Sequence, residues 1–469
     1  MNFFFSRHNI LFIYIFKLIY IYLYYLMEQY IIFDINIEKV KKKNYKLDID
    51  YCSSNLNEIS VYTESQEYKK IKNDGFNIEK VKNEVIVSQK NNLKTKLGSY
   101  HHQKDLKNFI LNLKRKYNYI FDYEIIGKTK ENREIFMTQV TLFKNTKYKP
   151  VFLLIANIHG DETIGREISL YLMNYLCVEY NRNPDIKKIV DNFRIYILPS
   201  LNPDGFERKL FGRWSPSRYN SNGIDLNRNF PDQFKTNNIQ RELEVEAIMN
   251  WSKKNQVHLS LSIHGGTLVV NYPYDGPKTG VYSKCPHDNY FKYLSKEYIK
   301  YNSELKKSNF KNSMTNGSEW YAVFGGMQDW RYVYKDGYEL TLELSKKKVV
   351  KEEDIYKYWL YNRNSLINYL KLLHTGLEGL LTLKDIKEKV ILKNLDDNYI
   401  TKIKPNKYFF EPLKPGNYKI IYQNINRTFY IEKNIRYKLF FNESSDKSFQ
   451  LTKNILKSSF NRKNKCVIL

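Results

Sequence analysis

The feature that most constrains the fold of this chain is a continuous apolar run that ends in polar residues. Val151 to Ile155 is short enough to be a buried strand, and it leads into the string HGDE at 159–162. Two further strands, predicted at Arg194–Leu198 and Leu259–Ile263, also end in polar clusters, with helix-like segments between them. Strands that alternate with helices predict an α/β domain, a mixed twisted sheet flanked by helices, with a site along one sheet edge.

Three side chains in these polar clusters point to metal chemistry. His159 and Glu162 are three residues apart just after a predicted strand, where a loop can turn both side chains to one point. His264 follows another predicted strand. A lone histidine at a strand end is usually structural, but two histidines and one carboxylate, with a fourth position open for water, are the ligands of a catalytic zinc ion. The sequence therefore predicts a zinc site.

A zinc ion acidifies the water molecule that it binds, but that water still needs a base to accept its proton. In the segment from Tyr338 to Leu344 apolar residues alternate with polar ones, so Glu339, Thr341 and Glu343 share one face of a strand. Either glutamate could act as the general base, and the pattern does not choose between them.

Eight short motifs, taken in order, resemble those of the zinc metallocarboxypeptidases, most closely the branch of carboxypeptidases N, E, M and D. The motifs are HGDE at 159–162, NPDGFE at 202–207, NGIDLNRNFPD at 222–232, HGG at 264–266, NYPYD at 271–275, WY at 320–321, GGMQD at 325–329 and LELS at 342–345. The resemblance implies a catalytic domain at about residues 99–374. Residues 376–440 look like the small transthyretin-like β-sandwich that follows the catalytic domain in that branch.

The resemblance also implies a role for each metal and acid–base candidate. It implies one zinc ion per chain, bound by His159, Glu162 and His264. It selects Glu343 as the general base and then the general acid toward the leaving amine, which makes Glu339 a structural partner.

Arginine and amide side chains between residues 213 and 228 match substrate-binding positions of the family. Arg218 matches the arginine that stabilises the tetrahedral oxyanion, and its spacing to Asn227 favours it over Arg213. Asn227 and Arg228 match the residues that bind the terminal carboxylate of the substrate, a task that suits a planar guanidinium. Asp225 looks like the carboxylate that orients a zinc-binding histidine.

Three further positions bear on substrate closure and specificity. Tyr321 matches a mobile tyrosine that closes over the bound substrate. Asp275 matches the acid that meets a basic C-terminal side chain, and Gln328 is expected to line the same pocket. A buried carboxylate favours Lys or Arg through charge pairing.

These observations predict a zinc-dependent metallocarboxypeptidase that acts on the C-termini of peptides or proteins and releases Lys or Arg. Two alternatives come from other functional classes. One is a binding protein that keeps the fold without catalysis, and the other is a prenylated membrane scaffold. The sequence does not predict the oligomeric state.

The N-terminal region bears on location. Residues 1–27 contain an apolar stretch that predicts a signal or anchor segment, and hence a membrane or secretory location, unless Met27 is the working start. Residues 28–98 are rich in Lys and Asn, and we expect a few weak strands there with no assigned function.

The C-terminal tail and the net charge bear on the location and partners of the protein and not on the reaction. Residues 441–469 are expected to be a loose basic tail, and their last four letters, CVIL, fit a prenylation pattern at Cys466 that would place the C-terminus in the cytoplasm. The formal net charge is +26 in 469 residues. Because the lysines are scattered and no nucleic-acid-binding motif is found, we expect no specific nucleic-acid partner.

Overall fold

The computed structural model describes most of the chain from residue 27 onward. The described residues are 27–33, 43, 45, 48–52, 58–80, 97–144, 146–210, 217–236, 238–380, 390–403, 408–422, 425–442 and 448–454. The predicted apolar stretch before Met27, Arg213 and the predicted prenylation site at Cys466 lie outside these ranges. Within them, no helix has both the length and the apolar character that a membrane span requires.

The described residues between 27 and 80 form a small module with four strands and one helix. Its elements are β1 Met27–Phe33, β2 Asp48–Cys52, β3 Glu58–Glu64, α1 Ser65–Asn73 and β4 Asn77–Lys80. The strands lie in the order β2-β3-β1-β4, and all neighbouring pairs are antiparallel. The apolar core of this module is continuous with Val269, Phe310 and Trp320 of the next domain. The module therefore packs against the domain that follows it.

The central domain is built on one eight-stranded mixed sheet. Its strands are β5 Phe121–Lys128, β6 Glu134–Val140, β7 Val151–Ala156, β8 Arg194–Leu198, β9 Leu259–His264, β10 Leu268–Tyr272, β11 Met314–Asn316 and β12 Tyr338–Leu344. Their order is β11-β10-β12-β9-β7-β8-β6-β5. The four central strands β12, β9, β7 and β8 are parallel, and the order is completed by antiparallel pairs and the parallel pair β10 and β11.

Helices cover this sheet. They are α2 Gln103–Lys116, α3 Ile164–Glu179, α4 Pro184–Asn192, α5 Pro203–Leu210, α6 Leu243–Lys254, α7 Asp288–Ile299, α8 Gly317–Trp320, α9 Met327–Lys335 and α10 Ile355–Lys371. Every residue of β7 and β9 is buried, as expected for parallel strands that are covered on both faces. The prediction of an α/β domain with a mixed, helix-flanked sheet is confirmed.

The C-terminal part is an all-β sandwich of two four-stranded sheets. Its strands are β13 Gly376–Leu380, β14 Val390–Asn394, β15 Ile400–Ile403, β16 Phe409–Pro412, β17 Gly416–Tyr422, β18 Ile425–Ile431, β19 Arg436–Asn442 and β20 Ser448–Asn454. The sheet orders are β16-β13-β19-β20 and β15-β14-β17-β18. The core of the sandwich belongs to the same buried cluster as α10 of the central domain, so the two domains share one continuous core.

The sandwich extends beyond the boundary predicted at residue 440. Strand β20, at 448–454, falls in the segment expected to be a loose tail, and it pairs with β19 along the whole of β19. The segment is rich in Lys, Asn and Ser, and its only sign of a strand is the alternation of the apolar residues Phe449 and Leu451 with polar ones. A strand at a sheet edge needs little more than backbone hydrogen bonds to one neighbour.

Candidate metal centre and active-site cleft

The loop after β7 carries the first two metal-ligand candidates, and backbone packing sets its path. A side chain on Gly160 would place its Cβ 2.3 Å from backbone atoms of Gly205 and Ser217, so no other residue type fits there. The amide N–H of Gly160 donates to the carbonyl of Arg218 at 3.2 Å. This close approach of three backbone segments fixes His159 and Glu162 on either side of the glycine.

His159, Glu162 and His264 converge at the ends of β7 and β9. One Glu162 carboxylate oxygen lies 2.9 Å from Nδ1 of His159, and the other lies 2.8 Å from Nδ1 of His264. One ligand atom from each residue lies within 4.8 Å of the other two, and all three residues are buried. This arrangement can hold one metal ion, as the sequence predicts.

Asp225 links the metal centre to Arg218. Its Oδ1 lies 3.1 Å from Nε2 of His159, on the side of the ring away from Glu162, and its Oδ2 accepts from Nη2 of Arg218 at 2.8 Å. Burial opposes ionisation of Asp225, but Arg218 and His159 outweigh it and hold the pKa of this carboxyl well below its usual range. A carboxylate on Nε2 leaves Nδ1 of His159 for a metal.

Glu343 and Glu339 lie on the same strand, but their surroundings differ. Glu343 pairs in register with His264 and lines the cleft. Glu339 lies four residues earlier along β12, is fully buried, accepts from Ser260 Oγ at 2.8 Å and lies 3.5 Å from Nε of Arg331. Of the two glutamates that the pattern leaves open, Glu343 is therefore the one next to the metal centre, and Glu339 has structural partners.

One cleft collects most of the predicted site residues. Among the described residues that line it are His159, Glu162, His264, Glu343, Arg218, Asn227, Asp275 and Tyr321. Tyr321 is half-buried, and its ring packs edge-on against Trp320 with centroids 4.7 Å apart. Gln328 and Arg228 are not among the lining residues. Arg228 is 25% exposed and has its Nη1 3.9 Å from Oδ2 of Asp225.

Asp275 is a further acidic group that lines the cleft. The side-chain amides of Asn271 and Gln328 both donate to its Oδ1 at 3.1 Å, so Gln328 holds Asp275 through a hydrogen bond. The backbone N–H of Asp275 donates to Asp329 at 3.0 Å. Burial raises the pKa of Asp275 to about 7. A cation that reaches this carboxyl would favour its ionised form.

Several residues that line the cleft were not identified from the sequence. They are Asn271, Trp320, Thr341, Val323, Thr267 and Lys348. Trp320 and Asn271 belong to quoted motifs, so their neighbours could have pointed to them. Lys348 follows β12 and has its Nζ 3.2 Å from Asp161 and 4.0 Å from Glu162. No local pattern marks this lysine within Lys346-Lys347-Lys348, because only the fold brings one of the three to the loop.

Known proteins share this sequence pattern. The profile of the family described as zinc carboxypeptidase matches residues 106–365, more than half of the chain. Carboxypeptidase M of Mus musculus is 38% identical over 341 residues, a match that covers 68% of this chain and 77% of that protein. Carboxypeptidase D of Rattus norvegicus is 36% identical over 341 residues, and the match covers 68% of this chain but only 25% of that longer protein.

Solved structures share the fold. Thrombin activatable fibrinolysis inhibitor matches with a TM-score of 0.57 at 16% identity, over 74% of this chain and 98% of that one. Carboxypeptidase A from Helicoverpa armigera matches with a TM-score of 0.59 at 18% identity, over 74% of this chain and 97% of that one. The sequence profile, the relatives and the fold agree, and the chain belongs to the zinc carboxypeptidase family of metal-dependent hydrolases.

Proposed function

We propose that this protein removes a C-terminal Lys or Arg from peptides or proteins, with a zinc ion bound by His159, Glu162 and His264. The observation that carries the proposal is the composition of one cleft, in which these three side chains lie together with a carboxylate, an arginine, an amide and a buried acid. Those four groups are Glu343, Arg218, Asn227 and Asp275.

The donor set suits zinc. Two imidazole nitrogens and one carboxylate are within 4.8 Å of one another, which leaves a fourth position for water or substrate. When bound, zinc polarises the scissile carbonyl and lowers the pKa of water. Asp225 holds the ring of His159 in the orientation that directs Nδ1 to the centre.

Glu343 and Arg218 would perform the proton and charge steps of hydrolysis. Glu343 takes a proton from the attacking water, whose hydroxyl adds to the carbonyl carbon, and then gives that proton to the amine as the C–N bond breaks. Arg218 lines the same cleft and is held by Asp225 through two N–H donors, at 3.1 and 2.8 Å. Such a fixed guanidinium can stabilise the negative charge that develops on the carbonyl oxygen.

Recognition of a chain end would involve Asn227, Arg228 and Asp275. Asn227 lines the cleft, and Arg228 follows in the same 3-10 turn, so an amide and a guanidinium are available for the terminal carboxylate. Asp275 would meet the terminal side chain. A buried carboxyl pairs with Lys or Arg and repels Glu or Asp, which supports the preference for basic residues.

A panel of peptides that differ only in the last residue, assayed with and without a chelator, tests the proposal. We expect zinc-dependent release of Lys and Arg at least tenfold faster than release of Leu, and no release of Glu. The variant Asp275→Asn should lose most of this preference while it keeps the release of Leu. Binding of peptides without release at saturating zinc would instead favour the noncatalytic binding protein.

We also propose a membrane-associated or secretory location, supported by the apolar stretch at residues 9–27. Fractionation of cells that express the full chain tests it, and we expect the protein in the membrane or lumenal fraction. A cytoplasmic, membrane-bound protein that becomes soluble in the Cys466→Ser variant would favour the prenyl anchor instead.

A further inference from the structure

Asn157 occupies a buried position directly after β7 and before the metal-binding loop. It has a φ of 57°, a backbone conformation that Asn, Asp and Gly adopt more readily than other residues. Its side chain is fully buried, so each of its polar atoms needs a partner within the protein. The partners of its amide nitrogen lie on the loop that carries His159 and Glu162.

The side-chain amide of Asn157 donates into the centre of that loop. Its Nδ2 lies 2.8 Å from the carbonyl oxygen of His159, 3.2 Å from that of Gly160 and 3.4 Å from that of Glu162. Three carbonyl dipoles that converge on one point repel each other unless a donor lies between them. The backbone carbonyls of the loop are directed toward Asn157, while the side chains of His159 and Glu162 line the cleft.

A second contact decides which way the amide of Asn157 faces. Nη2 of Arg166 lies 2.7 Å from Oγ of Ser200, and Ser200 Oγ lies 2.6 Å from Oδ1 of Asn157. An arginine can only donate, so the serine oxygen accepts from Arg166 and the serine hydroxyl donates onward to Oδ1. The NH2 group of Asn157 must then face the loop.

We propose that Asn157 is a positioning residue for the metal centre, which orients His159 and Glu162 through the backbone of their loop. The inference rests on the proposed zinc site. Ser200 and Arg166 act through Asn157, because they set the direction of its amide. Loss of a group that supports metal ligands typically weakens metal binding about 10- to 100-fold, and we expect an effect of this size.

Two substitutions that keep the backbone conformation test the proposal. Asn157→Asp has nearly the same shape, but it replaces the amide nitrogen that faces the three carbonyl oxygens with a carboxylate oxygen, which cannot donate to them. Asn157→Gly removes the side-chain amide. We expect the zinc dissociation constant, measured by chelator competition, to rise at least tenfold in both variants, and more in Asn157→Asp.

Asn362 supplies the matched control. It is a buried asparagine on α10 that donates to the carbonyl of Tyr358 and accepts from Tyr298 and Asn302, away from the metal loop. Asn362→Asp should lower the Tm of the zinc-free protein without a change in the zinc dissociation constant. If Asn157→Asp does not fold, Ser200→Ala carries the test, because it frees the amide to turn and should also weaken zinc binding.

The outcome separates this inference from the proposed site. If folded variants at Asn157 bind zinc within twofold of the original protein, or lose affinity only as much as Asn362→Asp, the positioning role is wrong. His159→Ala serves as the reference for the site itself. Zinc binding that survives His159→Ala would overturn the proposed ligands, whatever the result at Asn157.

Discussion

Glu343 and His264 lie directly opposite each other on two neighbouring parallel strands, β12 and β9. Because both strands run in the same direction, their ends meet at one edge of the sheet, and this register brings a carboxylate beside a metal-ligand candidate 79 positions earlier in the chain. Glu339 pairs with Ser260 on the same two strands, further from that edge. The register of β12 and β9 therefore places Glu343 at the cleft and Glu339 within the sheet.

This relationship predicts that substitution of Glu343 lowers activity, whereas substitution of Glu339 on the same strand lowers stability. Glu343→Gln should lower kcat by about 10²- to 10⁴-fold, the usual contribution of a general acid–base group, while zinc content is kept. Glu339→Gln should lower the Tm, since Glu339 is paired with Arg331, but leave kcat of the folded enzyme within a few-fold. Steady-state kinetics with zinc analysis measures both. Equal losses of kcat in the two variants would contradict the assignment of Glu343.

The bridge from His159 through Asp225 to Arg218 predicts a coupled loss. Asp225→Asn keeps the shape but removes the negative charge that both partners face, so we expect zinc affinity or kcat/KM to fall about 10- to 100-fold. Asp204→Asn is the matched control, because Asp204 is buried but contacts Thr129, Arg133 and Ser221 instead of the cleft. A normal zinc constant and normal kcat/KM in Asp225→Asn would exclude this bridge from the mechanism.

The pKa of Asp275 predicts a pH dependence that is specific to basic substrates. Burial raises this pKa to about 7, so the carboxyl of the free enzyme is mostly protonated at pH 6 and mostly ionised at pH 8. Only the ionised form attracts a cationic side chain, and the ionised fraction rises about tenfold over this range. The ratio of kcat/KM for C-terminal Lys to that for C-terminal Leu should therefore increase by up to about tenfold.

Taking the ratio of two substrates cancels the titration of groups that both substrates use. The same ratio measured in Asp275→Asn should not change with pH. A ratio that stays flat in the original protein between pH 6 and 8 would show that Asp275 does not meet the terminal side chain.

Zinc should also stabilise the fold. A ligand that binds only the native state adds free energy of unfolding that depends on its concentration, about 2.7 kcal/mol at 100 times the dissociation constant. We expect thermal or denaturant unfolding to show this gain on addition of zinc, and a chelator to reverse it. His264→Ala should remove the gain, because it takes away one of the three donors. A zinc-induced gain of the same size in His264→Ala would place the ion elsewhere.

Local pattern was enough to predict much of the fold and of the site. The apolar runs at Val151 and Leu259 form fully buried parallel strands, as expected for strands that are covered on both faces, and polar residues follow each of them. The ordered motifs matched the family and with it the residues of the cleft.

Other features depended on the sheet register and on loop packing. The choice of Glu343 over Glu339 by geometry, the support of Asp275 by Gln328, and the approach of Lys348 to Asp161 all join segments far apart in the chain. The strand β20 was missed because its composition is that of a tail, and only its pairing with β19 reveals it.

The amino-acid sequence by itself determined which elements form and which side chains follow the strands, because hydrophobic periodicity and turn residues act over a few positions. Only the tertiary structure decided which of those side chains meet, and that Asn157 lies beneath the metal loop with its amide turned toward it. Such contacts depend on strand order and on close backbone packing, and no short stretch of residues determines either of them.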